Sequence, residues 1–559
     1  DLTDKDQIVN KDAVSMLVSL GIIEGKPDGS YGPTENVDRA QMAKMLSVIM
    51  NKGVDNSALY QSVNSGLVDV NTNWAKGHIN YCYTTGIIAG RGNGKFDPSA
   101  TVTALEAAKM LLVAVGYDPA IEGFEGADWA INVSVRADEQ GIFEGFTKDL
   151  SAPLNRDDAA LLIYNALDVE MIQSYTTNNY PIAYSDHRTI LADKYGVIKV
   201  QGVVVANEWA SLASDDGDAA LKEGKTTIYN GEGIFSTTGN TTVSKEDASL
   251  KTQTFNVSTP VDMLGKTVNL YIKKTTILAD STVYGDPVVS DVNTVVTTGE
   301  TVLYSGAKDP QVDYDKLLGE NGLTDKDAKY FWNYNSGKYI PNTTEKYGDK
   351  TANVKGATLT IIDNNGDGEV DYVLSVEKAL ADITSVNSKK ETVTVRTLGT
   401  LDNKDVVGYE DMAKEDVVLY VQYGGRTYLE KPEVVTGEME HFNVKGTEKY
   451  MTVGGEKYKA DELETNARTE VVKFDVTECD KANGVQFETS YNFYLDDYGN
   501  VIAFEEVEAA AKNYALVLDS AFSTNMLNTS GQVKVLLPDG TTKTYELNWD
   551  NSVKSWKDE

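Results

Sequence analysis

The sequence is poor in cysteine, histidine, basic charge and long apolar runs, and each shortage excludes something. Only two of its 559 residues are cysteines, Cys82 and Cys479, in segments that read as different regions. That pattern argues against a disulfide framework. The three histidines, His78, His187 and His441, fall in no HExxH zinc motif and beside no GxSxG serine elbow. The glycine-rich run Gly90-Arg91-Gly92-Asn93-Gly94 follows a helical pattern rather than a strand, so it is not a nucleotide fingerprint. No enzyme is expected from these motifs. No apolar stretch approaches the roughly 18–20 residues a membrane-spanning helix needs, so no membrane insertion is expected. The polar start lacks a basic-then-apolar leader, and a helical pattern begins almost at Asp1, which favours the mature form of an exported protein. Basic residues number 51 against 85 acidic ones, a net charge of −34. Such a chain is repelled by phosphate backbones, so nucleic acid is not an expected partner.

What the chain has is length, an apolar content of 41% and internal repetition. The length predicts several domains, and the apolar content is sufficient for packed cores. Gly21-Ile22-Ile23-Glu24-Gly25 recurs as Gly86-Ile87-Ile88-Ala89-Gly90 and as Gly141-Ile142-Phe143-Glu144-Gly145. Each copy follows an apolar stretch at helical spacing and precedes a turn-rich loop such as Pro27-Asp28-Gly29. A second helix then starts at a capping side chain three residues before a partner: Asp38 with Gln41, Thr103 with Glu106, and Asn155 with Asp158. No helix–loop–helix unit of this size buries its apolar face alone, so the three are expected to pack into one three-lobed bundle.

Trp74-Ala75, the Gly-Ile-Ile steps, Pro27-Asp28-Gly29-Ser30-Tyr31 and Asp38-Arg39-Ala40-Gln41 together closely resemble the surface layer homology (SLH) repeat, whose second helix usually opens Thr-Arg-Ala-Glu. Three tandem copies over residues 1–168 are similar to the SLH trimer that anchors bacterial surface proteins. The resemblance implies a secreted protein of the bacterial cell wall or S-layer. It also implies an acidic secondary cell-wall polysaccharide as ligand, often pyruvylated, held in grooves between repeats. Arg39 and Arg156 occupy the family's arginine position, whereas Ala104 stands there in the second repeat. A guanidinium fork suits a carboxylate, and a helix N-terminus adds free amides beside it. Residues 1–168 carry 13 basic against 23 acidic side chains, so long-range attraction of an acidic polymer is absent. Binding is therefore expected to rest on short-range contacts of Arg39 and Arg156, together with Lys44. The other reading of the two arginines is as surface residues paired with nearby acids. Trp74 and Trp129 are read as core residues of their helices.

From about Thr189 the period changes from helical to alternating, as in the segments 197–205, 267–272 and 358–362, with turns between strands at 494–502 and 537–542. The fold class is thus multi-domain: an α-helical SLH trimer followed by mostly-β sandwich or barrel modules. Expected boundaries are repeats at 1–53, 65–117 and 127–168, a linker at 169–188, and β modules at 189–300, 301–378 and 379–508. A further module at 509–559 is expected to be cut short. Asp363, Asn365, Asp367 and Asp371 have the spacing that opens an EF-hand loop, so calcium is a candidate there. Leu374 stands where the bidentate Glu belongs and the flanks alternate like strands, so a metal-free hairpin tip is the competing reading. The leading functional expectation is an S-layer subunit, tethered noncovalently and assembling laterally with copies of itself. The alternatives are an SLH-anchored glycan hydrolase with its catalytic domain beyond residue 559, or an SLH-anchored adhesin.

Overall fold

The structure is a computed structural model that describes residues 2–213, 220–231, 251–273, 281–299, 302–303, 312–336, 357–445, 449–461, 463–507, 515–524, 529–537, 540–547, 549–550 and 555–556. They form two compact units, Asp1–Glu430 and Lys431–Glu559. The first opens with six helices in three pairs: α1 (Lys11–Ser19) and α2 (Arg39–Met50), α3 (Lys76–Thr84) and α4 (Ala104–Val115), α5 (Trp129–Glu139) and α6 (Arg156–Leu167). The pairs correspond to the three sequence repeats.

The second helices start where the sequence predicts, and the reason is local chemistry. The Asp38 carboxylate accepts from Gln41 N at 2.7 Å while Gln41 Oε1 accepts from Asp38 N at 2.9 Å. Thr103 and Glu106 form the same reciprocal box. Asn155 Oδ1 accepts from Asp158 N, but Asp158 does not reciprocate and instead pairs with Lys148. Each cap satisfies helix-end amides that would otherwise lack partners.

Just ahead of these caps the chain closes a ring. Val37 N donates to Leu154 O at 2.8 Å, Leu154 N to Val102 O at 2.7 Å, and Val102 N to Val37 O at 2.9 Å. All three residues are buried. The ring joins every repeat to both others, so none can leave without orphaning buried backbone groups. Around it, Leu17, Leu46, Ile79, Leu112, Val133 and Ile163 share one apolar core.

That core does not end with the helices. Ile190, Leu191, Tyr195, Val197 and Tyr271 belong to it, Lys199 pairs with Asp168, and Ser15 Oγ donates to Asp286. Residues read as a linker form a hairpin, Ile172–Tyr175 with Pro181–Ala183. Tyr175 Oη donates to Glu122, and Asp118 N donates to Tyr175 Oη. Gly116, which ends α4 at φ +117°, lets Ile172 approach so closely that a Cβ there would lie 2.5 Å from its carbonyl oxygen. The trimer is thus packed directly onto this hairpin and the first β strands.

Among the described residues the first unit also holds three larger open sheets. In the first the strands run Thr252–Phe255, Thr226–Tyr229, Val197–Asn207, Thr267–Lys273, Val283–Val289, all antiparallel. In the second they run Asn335–Ser336, Lys329–Trp332, Tyr372–Glu377, Ala357–Asp363, Thr294–Thr298. Because Thr298 lies opposite Leu359, the change of sheet falls ahead of Thr294 rather than at residue 300. The third contains Gly399–Asp402, Thr392–Val395, Ala379–Asn387, Val417–Tyr423, Arg426–Glu430 and Val406–Val407 in that order. The chain passes from the second sheet to the third at Lys378.

The second unit starts at Lys431, within the span 379–508 that the sequence suggested as one module. Its sheet runs Glu456–Tyr458, Tyr450–Val453, Val434–Asn443, Ser490–Leu495, Val501–Glu506, Val472–Lys473, around Phe474, Phe493 and Val501. A three-stranded sheet, Leu516–Thr524, Thr529–Leu536 and Thr542–Leu547, comes after it. The fold is therefore a helical trimer followed by β sheets, with no closed barrel among the described residues.

Candidate functional site

The two arginines of the repeat motif reach across to a neighbouring repeat in the same way. Arg39 Nε donates to Phe96 O and its Nη2 to Ala89 O, both at 2.8 Å, with the guanidinium 4.4 Å over the Phe96 ring. Arg156 Nε donates to Tyr31 O at 2.9 Å and its Nη2 to Glu24 O at 3.3 Å, 4.8 Å over the Tyr31 ring. Repeat 1 thus grips the loop of repeat 2, and repeat 3 grips the loop of repeat 1. At the equivalent point of repeat 2, Ala104 is buried, and the contact to the loop of repeat 3 is the backbone bond Leu105 N to Leu150 O.

The environments of the two arginines differ. Arg39 is 4% exposed, and burial, with Arg91 close by, pushes its pKa down to about 10. It stays charged at neutral pH, but its donors are spent on carbonyls inside the protein. Neither of the sequence's alternatives, ligand contact or surface ion pair, describes this geometry. Arg156 is half-buried and lines a cavity of about 350 Å³.

That cavity draws on all three repeats. Its walls are the Gly21–Lys26 loop and Tyr31, the α2 side chains Gln41, Lys44 and Met45, the following Asp55, Trp74 from repeat 2 and Arg156 from repeat 3. Lys44 makes no ion pair among the described residues. Lys26, by contrast, is bound to Glu35. The structure therefore gathers Lys44 and Arg156 at one groove and places Arg39 elsewhere.

Trp74 corrects the sequence reading. It is 58% exposed and faces the groove, because it precedes α3 in a turn where Asn73 Oδ1 accepts from Ala75 N, instead of lying on the helix's apolar face. Trp129, at the equivalent position, is half-buried with Lys109 Nζ 5.7 Å from its ring. The loops carry a second device the sequence reading missed. Asp4 accepts from Tyr31 N and Gly32 N at 2.7 and 2.8 Å, and Asp69 accepts from Phe96 N and Asp97 N at 2.9 and 2.8 Å. Both stand seventeen residues ahead of their Gly-Ile-Ile step, a spacing that could have revealed them; Phe124 has that place in the third repeat.

The calcium candidate lies at the tip of the hairpin between Ala357–Asp363 and Tyr372–Glu377. Asp363 is 1% exposed and its carboxylate accepts from the backbone N–H groups of Asn365, Gly366 and Gly368. Asp371 accepts from Asn364 N, and Asn365 Oδ1 from Asp367 N. Among the described residues no group of three or more His, Cys, Asp or Glu side chains is arranged to hold a metal ion. Tying the turn together accounts for the Asp/Asn/Gly pattern.

Comparison with known proteins agrees with the geometry. The model of the S-layer homology domain matches residues 1–43 and 68–108. A cell surface protein of Thermoanaerobacter kivui is 28% identical over 234 residues, 42% of this chain and 28% of that protein. An S-layer protein of Bacillus licheniformis is 33% identical over 113 residues, 20% of this chain and 12% of that protein. An amylopullulanase of Thermoanaerobacterium thermosulfurigenes is 31% identical over 172 residues, 28% of this chain and 9% of that enzyme. The chain thus spans less than a third of the length of these relatives. The N-terminal region is an SLH region of a secreted, cell-wall-associated bacterial protein. Over the matched residues the chain is similar to bacterial proteins named as cell surface and S-layer proteins. Among the described residues no helix is long and apolar enough to cross a membrane.

Proposed function

We propose that the chain is a structural, non-catalytic surface protein held noncovalently on the wall by an acidic polysaccharide seated in the groove between Lys44, Trp74 and Arg156. The observation that carries this reading is the convergence of residues from all three repeats on one cavity with an unpaired lysine in its wall. Each group has a matching task. Lys44 supplies a point charge for a ligand carboxylate, such as that of a pyruvyl ketal. Arg156 supplies a half-buried positive charge at the groove, oriented by its bonds to Tyr31 O and Glu24 O. Trp74 supplies an apolar face for a sugar ring. Asp55 and Glu24 lie in the same wall, so the groove suits a ligand with hydroxyl donors and few carboxylates rather than a dense polyanion. Arg39 contributes by fixing the loop of repeat 2.

The test is cosedimentation of the protein with purified cell-wall polysaccharide. Lys44→Ala with Trp74→Ala is expected to abolish retention while leaving the helical circular dichroism unchanged. Undiminished retention by that variant would reject the groove. Lateral assembly of copies is proposed for the β sheets, on the strength of the similarity to S-layer proteins; electron microscopy showing only separate particles at high concentration would oppose it. A second reading, favoured by the amylopullulanase match, makes the same trimer the anchor of a surface enzyme. Glycan hydrolysis by the whole protein would establish it.

A further inference from the structure

The three helix interfaces of the trimer are equivalent but not alike. The eighth residue past each second-helix start is Ser47, Leu112 or Tyr164, and the residue eight before each Gly-Ile step on the facing helix is His78, Val133 or Ala13. Two of these pairs are Leu112 with Val133 and Tyr164 with Ala13. The third is Ser47 with His78, each 4% exposed, with Ser47 Oγ 2.5 Å from His78 Nδ1. A buried polar pair is a costly replacement for apolar packing, and this one stands directly behind the groove.

His78 is connected to three groove residues. Its Nε2 lies 3.6 Å from Asp55 Oδ2, its ring meets Trp74 edge-on at 6.4 Å, and its partner Ser47 donates to Lys44 O at 3.0 Å. Ser47, His78 and Asp55 follow the order of a hydrolytic triad, but the serine oxygen is enclosed between helices, out of reach of a substrate. The arrangement has a different consequence. A neutral imidazole has one N–H, while both Ser47 Oγ and the Asp55 carboxylate can accept. With the one Ser47 proton directed to Lys44 O, Nδ1–H donates to Ser47 Oγ, and only the imidazolium also sets a charged N–H against the Asp55 carboxylate as an ion pair at 3.6 Å.

We propose that His78 is a positioning residue for the glycan groove, and that its protonation pins Asp55 to the groove wall and adds a positive charge behind Lys44 and Trp74, strengthening retention of an acidic glycan as pH falls. This rests on the groove being the polysaccharide site. The charged groups facing His78 are Asp55 and Lys44. Burial lowers its pKa, Asp55 opposes that and Lys44 adds to it, so the ring is neutral at pH 7 and charges only below the ordinary imidazole range. A bound carboxylate favours the imidazolium, so binding takes up a proton as the pH approaches that point.

The test measures cosedimentation of the full chain with purified acidic cell-wall polysaccharide at about pH 5 and about pH 8. The wild type is expected to bind about three- to tenfold more tightly at the lower pH, the effect of one added charge near a partly solvated site. Ser47→Leu with His78→Val, which copies the Leu112–Val133 pair, is expected to bind with no such ratio. Asp55→Asn, at an exposed side chain, is expected to shrink the ratio without touching the core. Nuclear magnetic resonance should show the His78 titration moving to higher pH when polysaccharide is added. An unchanged pH ratio in both variants, or a His78 titration indifferent to the polysaccharide, would overturn the inference while leaving the groove intact. Failure of the wild type to bind at either pH would instead remove the polysaccharide reading itself, and this inference with it.

Discussion

Replacing Arg39 by alanine separates anchoring by fold from anchoring by contact. The guanidinium makes two bonds of 2.8 Å to carbonyl oxygens of the next repeat and stacks 4.4 Å over Phe96. Hydrogen bonds from a charged donor contribute about 1.5–3 kcal/mol each. Truncation also leaves Phe96 O and Ala89 O short of a partner. Relief of the buried charge, whose desolvation already lowers the Arg39 pKa, offsets part of this, giving a net loss of about 3 kcal/mol. For a cooperative unit of this size that corresponds to a fall of about 6–12 °C in the unfolding midpoint. Thermal unfolding of the whole protein followed at 222 nm reports chiefly on the trimer, because its long helices lie there. Below the new midpoint, polysaccharide retention is expected to remain within about twofold of wild type, since a change under about 0.4 kcal/mol is all a distant site should feel. Arg156→Ala, half-buried and with one bond at 3.3 Å, is expected to show the reverse: a smaller midpoint shift and a larger loss of binding. A midpoint unmoved by Arg39→Ala, or binding lost from a fully stable Arg39→Ala protein, would refute the division of labour.

Acid should loosen the first loop before it melts the trimer. The backbone N–H groups of Tyr31 and Gly32 hold the Asp4 carboxyl below its ordinary range, so its contribution is present above about pH 4 and lost as pH falls through the depressed folded value. Limited proteolysis near Tyr31 is expected to accelerate below that pH in the wild type, and Asp4→Asn to show the faster rate already at pH 7. Gly424→Ala is expected to detach the Val417–Tyr423/Arg426–Glu430 hairpin from Trp209, because a Cβ at φ +59° would lie 1.8 Å from Trp209 O; hydrogen exchange along Arg426–Glu430 should rise. Asp363→Ala removes the acceptor for three turn amides, so it is expected to destabilise the second sheet by about 1–3 kcal/mol equally with and without calcium. A calcium-dependent difference in its unfolding midpoint would instead make the hairpin tip a metal site.

What the sequence made legible was whatever is encoded locally. The caps at Asp38, Thr103 and Asn155 depend on residues three apart, and the strands at Val197–Asn207, Thr267–Lys273 and Ala357–Asp363 depend on alternation, so both could be read directly. Lys44 and Arg156 were chosen with the family resemblance in view, and both line one cavity whose ligand is a matter of proposal. The burial of Arg39 and the exposure of Trp74 were not legible because their surroundings are set by contacts across repeats. Arg39 answers to Ala89 and Phe96, which lie 50 and 57 residues further along the chain, and Trp74 faces a wall built by residues 21–26 and 156. The sheet boundaries at Thr294 and Lys431 were hidden for the same reason, since pairing between distant strands leaves no local mark.

Repetition of sequence does not give three equal sites, and the reason lies in how the ring closes. The backbone bonds among Val37, Leu154 and Val102 treat the repeats alike, so the scaffold tolerates different side chains at equivalent points. At one interface the motif arginine is sealed over Phe96; at another it lies over Tyr31 beside an open cavity; at the third it is replaced by Ala104. The interface between the first two repeats likewise exchanges an apolar pair for Ser47 and His78 just behind the groove. Stability supplied by the common ring and caps is what allows that one region to keep an unpaired lysine, an exposed tryptophan and a buried histidine together. A trimer whose lobes each had to fold alone could not carry so many unfavourable groups on one side.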